Sequence, residues 1–162
     1  MIKMDTEQIQ TKVHAIVSDF LTQLGLDAEI EISMQTEEDV NYIAVKLIGE
    51  NLSELIGFHG KVFDSVQNIL GLIISKDESL SEYRLLLEIN DYRKEREEYL
   101  KEYAQRAADE VKMNQSSLEM PPMKPFERRI VHMVLKSDTD ITTESIGEGA
   151  DRRIVVKYKD LI

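Results

Sequence analysis

The chain has no cysteine. That excludes a disulfide framework and any zinc site built on thiolates. No apolar run approaches about 18 residues, so no stretch reads as a membrane-spanning helix. Met1-Ile-Lys-Met-Asp lacks the apolar centre of a signal peptide, and the expected location is the cytoplasm. There is no Cys nucleophile, no G-x-S-x-G and no P-loop. The histidines His14, His59 and His132 are scattered, without metal-ligand spacing. Enzyme chemistry is therefore the weakest reading, and neither a metal nor a cofactor is expected. Cations are also scarce. Twenty Lys and Arg face 31 Asp and Glu, a net charge of −11, which argues against indiscriminate polyanion binding by the whole molecule.

The charge is unevenly placed. Residues 1–90 hold sixteen acidic side chains against six basic ones, a balance of −10. Residues 121–162 hold eight basic against seven acidic, with arginines paired at Arg128-Arg129 and Arg152-Arg153. A chain of 162 residues, 42% apolar, fits one average domain or two small ones. Two domains of different electrostatic character are the simplest account.

The stretch from Leu52 to Leu70 organises the first of them. Leu52, Leu55 and Ile56 keep helical spacing up to Gly57-Phe58-His59-Gly60. Val62, Val66, Ile69, Leu70 and Ile73 resume it as one expected apolar stripe. This reads as a short helix, a Gly-x-x-Gly corner and a longer helix. The glycines permit a tight turn and close approach of another backbone. The free N–H groups of the following helix suit phosphate. Two glycines three apart also make ordinary helix corners, so the flanks decide.

Asp5-Thr6-Glu7-Gln8 reads as a capped helix start, followed by an apolar stripe of Ile9, Val13, Ile16, Val17, Phe20, Leu21 and Leu24, with Gly25 as terminator. His14 lies just off the stripe. Residues 28–34 alternate as a strand, 35–41 read as a polar hairpin loop, 42–48 as a second strand, and 83–89 as a third. The order is α-β-β-α-α-β, with the Gly-x-x-Gly between adjacent helices.

That order, with that loop in that place, resembles a type II KH domain. The resemblance implies a three-stranded mixed sheet under three helices. It also implies binding of single-stranded RNA or DNA, about four nucleotides being held against an apolar groove. Carried onto this chain, the contact residues are Gly57, Phe58, His59, Gly60 and Lys61. The sequence departs from the usual pattern at the loop centre, where Lys or Arg is common and Phe58-His59 stands here. Phe58 suits stacking on a base or a protein contact.

Residues 91–114 read as a long connecting helix with an apolar stripe of Leu100, Ala104, Ala107, Ala108 and Val111. Residues 115–120 suit a short strand. After Pro121-Pro122, Pro125 suits the first turn of another helix. Spacing places Phe126, Ile130 and Val134 on its core face, with Arg128 and His132 opposite, toward solvent. Residues 142–146 and 152–158 read as a hairpin across Gly147-Glu148-Gly149-Ala150-Asp151.

Arg128-x-x-x-His132 and its surroundings, Pro-Phe-Glu-Arg-Arg-Ile-Val-His from Pro125 and Arg-Arg-Ile-Val-Val from Arg152, resemble the R-x-x-x-H domain, named for an Arg and a His separated by three residues. That resemblance implies a small α/β unit binding single-stranded nucleic acid. From about residue 5 to about 160 the chain resembles the bacterial Jag (KhpB/EloR) family, many members of which carry a further N-terminal domain. The expected fold is α+β: a KH domain at 1–90, a connecting helix at 91–114 and an R-x-x-x-H domain at 115–162. The resemblance implies RNA binding without chemistry and a role in cell elongation and envelope growth. Arg128, Arg129, Arg152 and Arg153 would meet phosphate or stack on bases, and His132 would stack or donate a hydrogen bond. The alternative is a protein-interaction module. The acidic first half and Phe58 suit pairing through the KH domain, as a homodimer or as a heterodimer with another KH protein.

Overall fold

The computed structural model describes residues 5–159, which form two compact units dividing between Tyr92 and Arg93. Each has its own three-stranded sheet and its own apolar core. No helix among the described residues is long and apolar enough to cross a membrane.

The first unit begins with α1 (Thr6–Gln23). The Asp5 side chain accepts the Gln8 N–H while the Gln8 side chain accepts the Asp5 N–H, a complete capping box. Ile9, Val13, Val17 and Leu21 are its buried face. Gly25 ends it at φ +70°, its N–H reaching the Thr22 carbonyl and that of Leu26 the Leu21 carbonyl, the paired bonds of a Schellman cap.

Strands β1 (Glu29–Glu37) and β2 (Val40–Ile48) pair antiparallel, and β2 pairs parallel with β3 (Tyr83–Ile89). The sheet order is β1-β2-β3. The polar loop expected over residues 35–41 is mostly strand. Glu38 and Asp39 alone turn the chain, both at positive φ, as a two-residue type I′ hairpin requires. The polarity of the flanking residues reflects exposure at the sheet end, not loop structure.

Between β2 and β3 lie α2 (Ser53–Ile56), a 3₁₀ turn over Phe58–Gly60, and α3 (Lys61–Ser75). The core face of α3 is Phe63, Val66, Leu70 and Ile74. The expected stripe is therefore rotated: Val66 and Leu70 are buried, but Val62, Ile69 and Ile73 are exposed. The apolar arc of α3 is wider than one stripe, and packing chose the side that buries the large Phe63 ring.

In the second unit, α4 (Tyr92–Asn114) gives Ala104, Ala107, Ala108 and Val111 to the core. The expected connecting helix is thus, from Arg93 onward, a structural layer of this unit. Strand β4 (Ser117–Glu119) leads to α5 (Pro125–Leu135), then β5 (Ile141–Ile146), a 3₁₀ turn over Gly149–Asp151, and β6 (Arg153–Tyr158). The sheet is antiparallel in the order β4-β6-β5.

The register of α5 corrects the sequence reading. Its buried face is Glu127, Val131 and Leu135, not Phe126, Ile130 and Val134. Phe126 is 57% exposed, and Ile130 and Val134 are half-buried. A glutamate turns inward because two partners receive it. Arg96 Nε on α4 lies 2.7 Å from Glu127 Oε1, and the Lys124 N–H donates to Oε2 at 2.8 Å. Periodicity counts a glutamate as polar and so turns the helix by about one residue, or 100°.

Candidate nucleic-acid interface

The candidate site of the first unit is made of backbone. Gly57 sits at φ +67° and ψ −176°, and an added Cβ would stand 2.2 Å from Val62 Cγ2. Gly60 sits in the left-handed region at φ +73°, where an added Cβ would meet Tyr92 Oη at 2.7 Å. Both glycines are required by conformation and by space. His59, at φ 53° and ψ 33°, is also left-handed. Two consecutive left-handed residues bring the chain round into α3, with Gly60 as its N-cap and Lys61 exposed at its first turn. The Phe58 and His59 rings stack, centroids 3.9 Å apart and 19° between planes, and Phe58 is 73% exposed. Gly57, Phe58, His59, Gly60 and Lys61 therefore form one corner, with Phe58 and Lys61 exposed and Gly60 buried.

Three residues outside the predicted set hold this corner. Tyr92 supports Gly60 and packs against Phe63 at 5.8 Å between ring centroids. Asn90 clamps the Gly49 backbone with both ends of its amide, donating to the carbonyl at 2.6 Å and accepting the N–H at 3.0 Å, which ties the end of β3 to the start of the α2 segment. Gln67 on α3 accepts the Leu87 N–H of β3 at 3.1 Å. Only Gln67 and Tyr92 carried a faint sequence signal, as polar residues flanking apolar helix stripes.

The candidate site of the second unit is made of side chains. His132 Nδ1 on α5 lies 2.7 Å from Thr143 Oγ1 on β5, and Arg152 Nε donates to Ser145 Oγ at 3.0 Å. Thr143 and Ser145 are two apart on one strand and so share a face. They gather His132 and Arg152 side by side at the edge strand of the sheet. Arg128 projects from the same flank of α5, and its Nη1 donates to the Met123 carbonyl at 2.8 Å. Arg128 and His132 lie half-buried beside the core, not opposite it as the spacing implied, because the core face is centred on Val131, while Arg152 is exposed. Burial, and then the Arg128 charge, hold the His132 pKa below its usual value. Arg129 is exposed on the next part of the helix surface.

Arg153 is not gathered with these residues. It is one residue from Arg152, and strand alternation sends it to the other face of the sheet. There its Nε donates to the Asp151 carbonyl and its Nη1 lies 3.6 Å from Glu119 Oε2. Thr143 and Ser145, which hydrogen-bond to His132 and Arg152, had no motif to reveal them. The remaining arrangement of guanidinium groups and imidazole offers several donors to an anion.

The folds and sites define a class: a KH unit followed by an Arg-x-x-x-His unit. Comparison with known families agrees, with residues 14–87 matching the KhpA/KhpB KH domain and residues 98–158 the R-x-x-x-H domain. The chain is thus similar to proteins of the Jag (KhpB) family, which its two matched units fit in order. Among its relatives, the RNA-binding protein KhpB of Clostridium symbiosum is 34% identical over 144 residues, 87% of this chain and 64% of that protein. The RNA-binding protein KhpB of Streptococcus pneumoniae is 28% identical over 152 residues, 94% of this chain and 45% of that protein. That of Bacillus subtilis is 28% identical over 126 residues, 76% and 60% respectively. The chain thus spans 45 to 64% of the length of these relatives.

Proposed function

We propose that this chain is a cytoplasmic protein that binds single-stranded RNA without catalysing a reaction. The observation that carries the reading is the gathering of Arg128, His132 and Arg152 on one surface around Thr143 and Ser145. These groups would receive phosphate, while the Gly57–Gly60 corner lets a second part of the strand approach backbone closely. The names of the relatives support RNA over DNA. The wider role we propose, by family, is control of cell elongation and envelope growth. The test is fluorescence anisotropy with a mixed-sequence single-stranded RNA at low salt, for the parent, Gly60→Asp, and Arg128→Ala/His132→Ala, each checked for folding by circular dichroism. Loss in both variants supports a strand shared by the two units. Loss in the double variant alone restricts RNA to the second unit. No binding by the parent overturns the proposal.

One observation favours a second role that is compatible with the first. Val62, Ile69 and Ile73 form an exposed apolar stripe on α3, with Leu72 beside it and Phe58 at the preceding corner. Such a face suits pairing with the KH unit of a second copy of this chain or of another KH protein. Sedimentation of the parent and of Ile69→Asp tests it. A concentration-dependent dimer lost in the variant supports pairing, and a strict monomer opposes it.

A further inference from the structure

Building on the RNA reading above, we propose that Phe126, Arg129 and Met133 form a base-stacking strip along the exposed side of α5. Phe126 is 57% exposed and Met133 is 61% exposed. With Arg129 they lie at positions i, i+3 and i+7, inside an arc of about 60° at 100° per residue. The opposite side of the helix is the buried Glu127, Val131 and Leu135. The inward turn of Glu127 is therefore what brings Phe126 out. A single exposed apolar side chain is ordinary. Here an aromatic ring and a thioether flank an exposed arginine, the strip continues to exposed Lys136, and Arg129 joins it to the Arg128 and His132 flank.

A nucleotide needs two things from a protein surface: a flat or soft apolar face for its base and a cation for its phosphate. Phe126 supplies the ring, and Met133 an adaptable, polarisable surface. Arg129 serves either need, since guanidinium stacks on bases as well as pairing with phosphate. The cations within and beside the strip favour an anionic polymer over an apolar protein partner. Stacking would make this contact tolerant of base identity, in contrast to hydrogen-bonded readout.

The chain has no tryptophan, so Phe126→Trp places a single emitter in the strip. The experiment titrates a short mixed-sequence single-stranded RNA, following labelled-RNA anisotropy and tryptophan emission together. Emission quenched in parallel with anisotropy is expected. Phe126→Ala should weaken binding about tenfold with an unchanged salt slope, because an apolar contact releases no counterion. RNA that binds by anisotropy while leaving emission unchanged overturns the strip and leaves the RNA reading standing. Emission that changes with protein concentration and not with RNA overturns it in favour of a protein contact. No RNA binding by the parent removes both readings.

Discussion

The two units build their candidate sites from different materials. In the first unit the buried core is wholly apolar, and the site is a backbone corner whose shape depends on the absence of Cβ atoms at Gly57 and Gly60. In the second, the site is made of side chains held by other side chains, and Glu127 is the one buried charged residue among those described. A backbone site is broken by adding atoms. A side-chain site is broken by removing them.

The largest effect should come from the buried pair. Arg96→Met leaves the Glu127 carboxylate in the core without its counter-charge, at a cost of about 3–5 kcal/mol to the second unit. Urea unfolding should show it, and the further change Glu127→Gln should restore much of the loss. If Arg96→Met is neutral, the second unit does not depend on charge in the way that separates it from the first. Next, Gly60→Ala should destabilise the first unit by about 1–3 kcal/mol, from left-handed backbone strain plus displacement of Tyr92. Gly149→Ala is the control. It also has positive φ but nothing within 4 Å of the added carbon, and it should cost about 1 kcal/mol or less.

For RNA binding, Arg128→Ala should reduce the log–log salt slope by about 0.7, one phosphate contact on a single strand. An unchanged slope would assign Arg128 to holding the Met123 carbonyl alone. The effect of pH is smaller. Since the His132 pKa is lowered on folding, the neutral form is the favoured one in the fold. Its stabilising contribution is complete above the ordinary value of 6.5 and is lost as pH falls through the lowered value. Binding runs the other way, because protonation adds a cation where phosphate is expected. Anisotropy should therefore show tighter binding at pH 5.5 than at 7.5 by a few-fold, and His132→Gln should flatten the difference. The smallest effect belongs to the first unit. Hydrogen bonds from Lys12 and Ser79 lower the Asp77 pKa to about 2, so the contribution of this half-buried cluster is present above pH 3.8 and fades as pH falls toward 2. Asp77→Asn should remove that dependence from acid titrations of the first unit.

The first unit was the more legible in sequence. Its helix caps, strand alternation and glycine spacing are local signals, and the α-β-β-α-α-β order appeared as read. The Arg-x-x-x-His motif likewise falls on a helix in the second unit, as expected. What was misread was rotation. Both α3 and α5 turned their core faces away from the best apolar stripe, α3 because its apolar arc is too wide to specify one face, and α5 because Glu127 is satisfied by a partner 31 residues earlier in the chain. The connecting helix was read correctly as a helix and given the wrong work, since its alanine stripe does not announce which sheet it will cover.

The sequence alone therefore determined the elements, their order, the Gly-x-x-Gly corner and the helix that carries Arg128 and His132, because each is set by interactions within a few residues. Tertiary structure decided which side of each helix faces inward, that Arg152 joins His132 while Arg153 does not, and that Phe126 lies on the surface. Those outcomes depend on partners distant in sequence. The energy of burying a group is fixed only when the neighbour that receives it is in place.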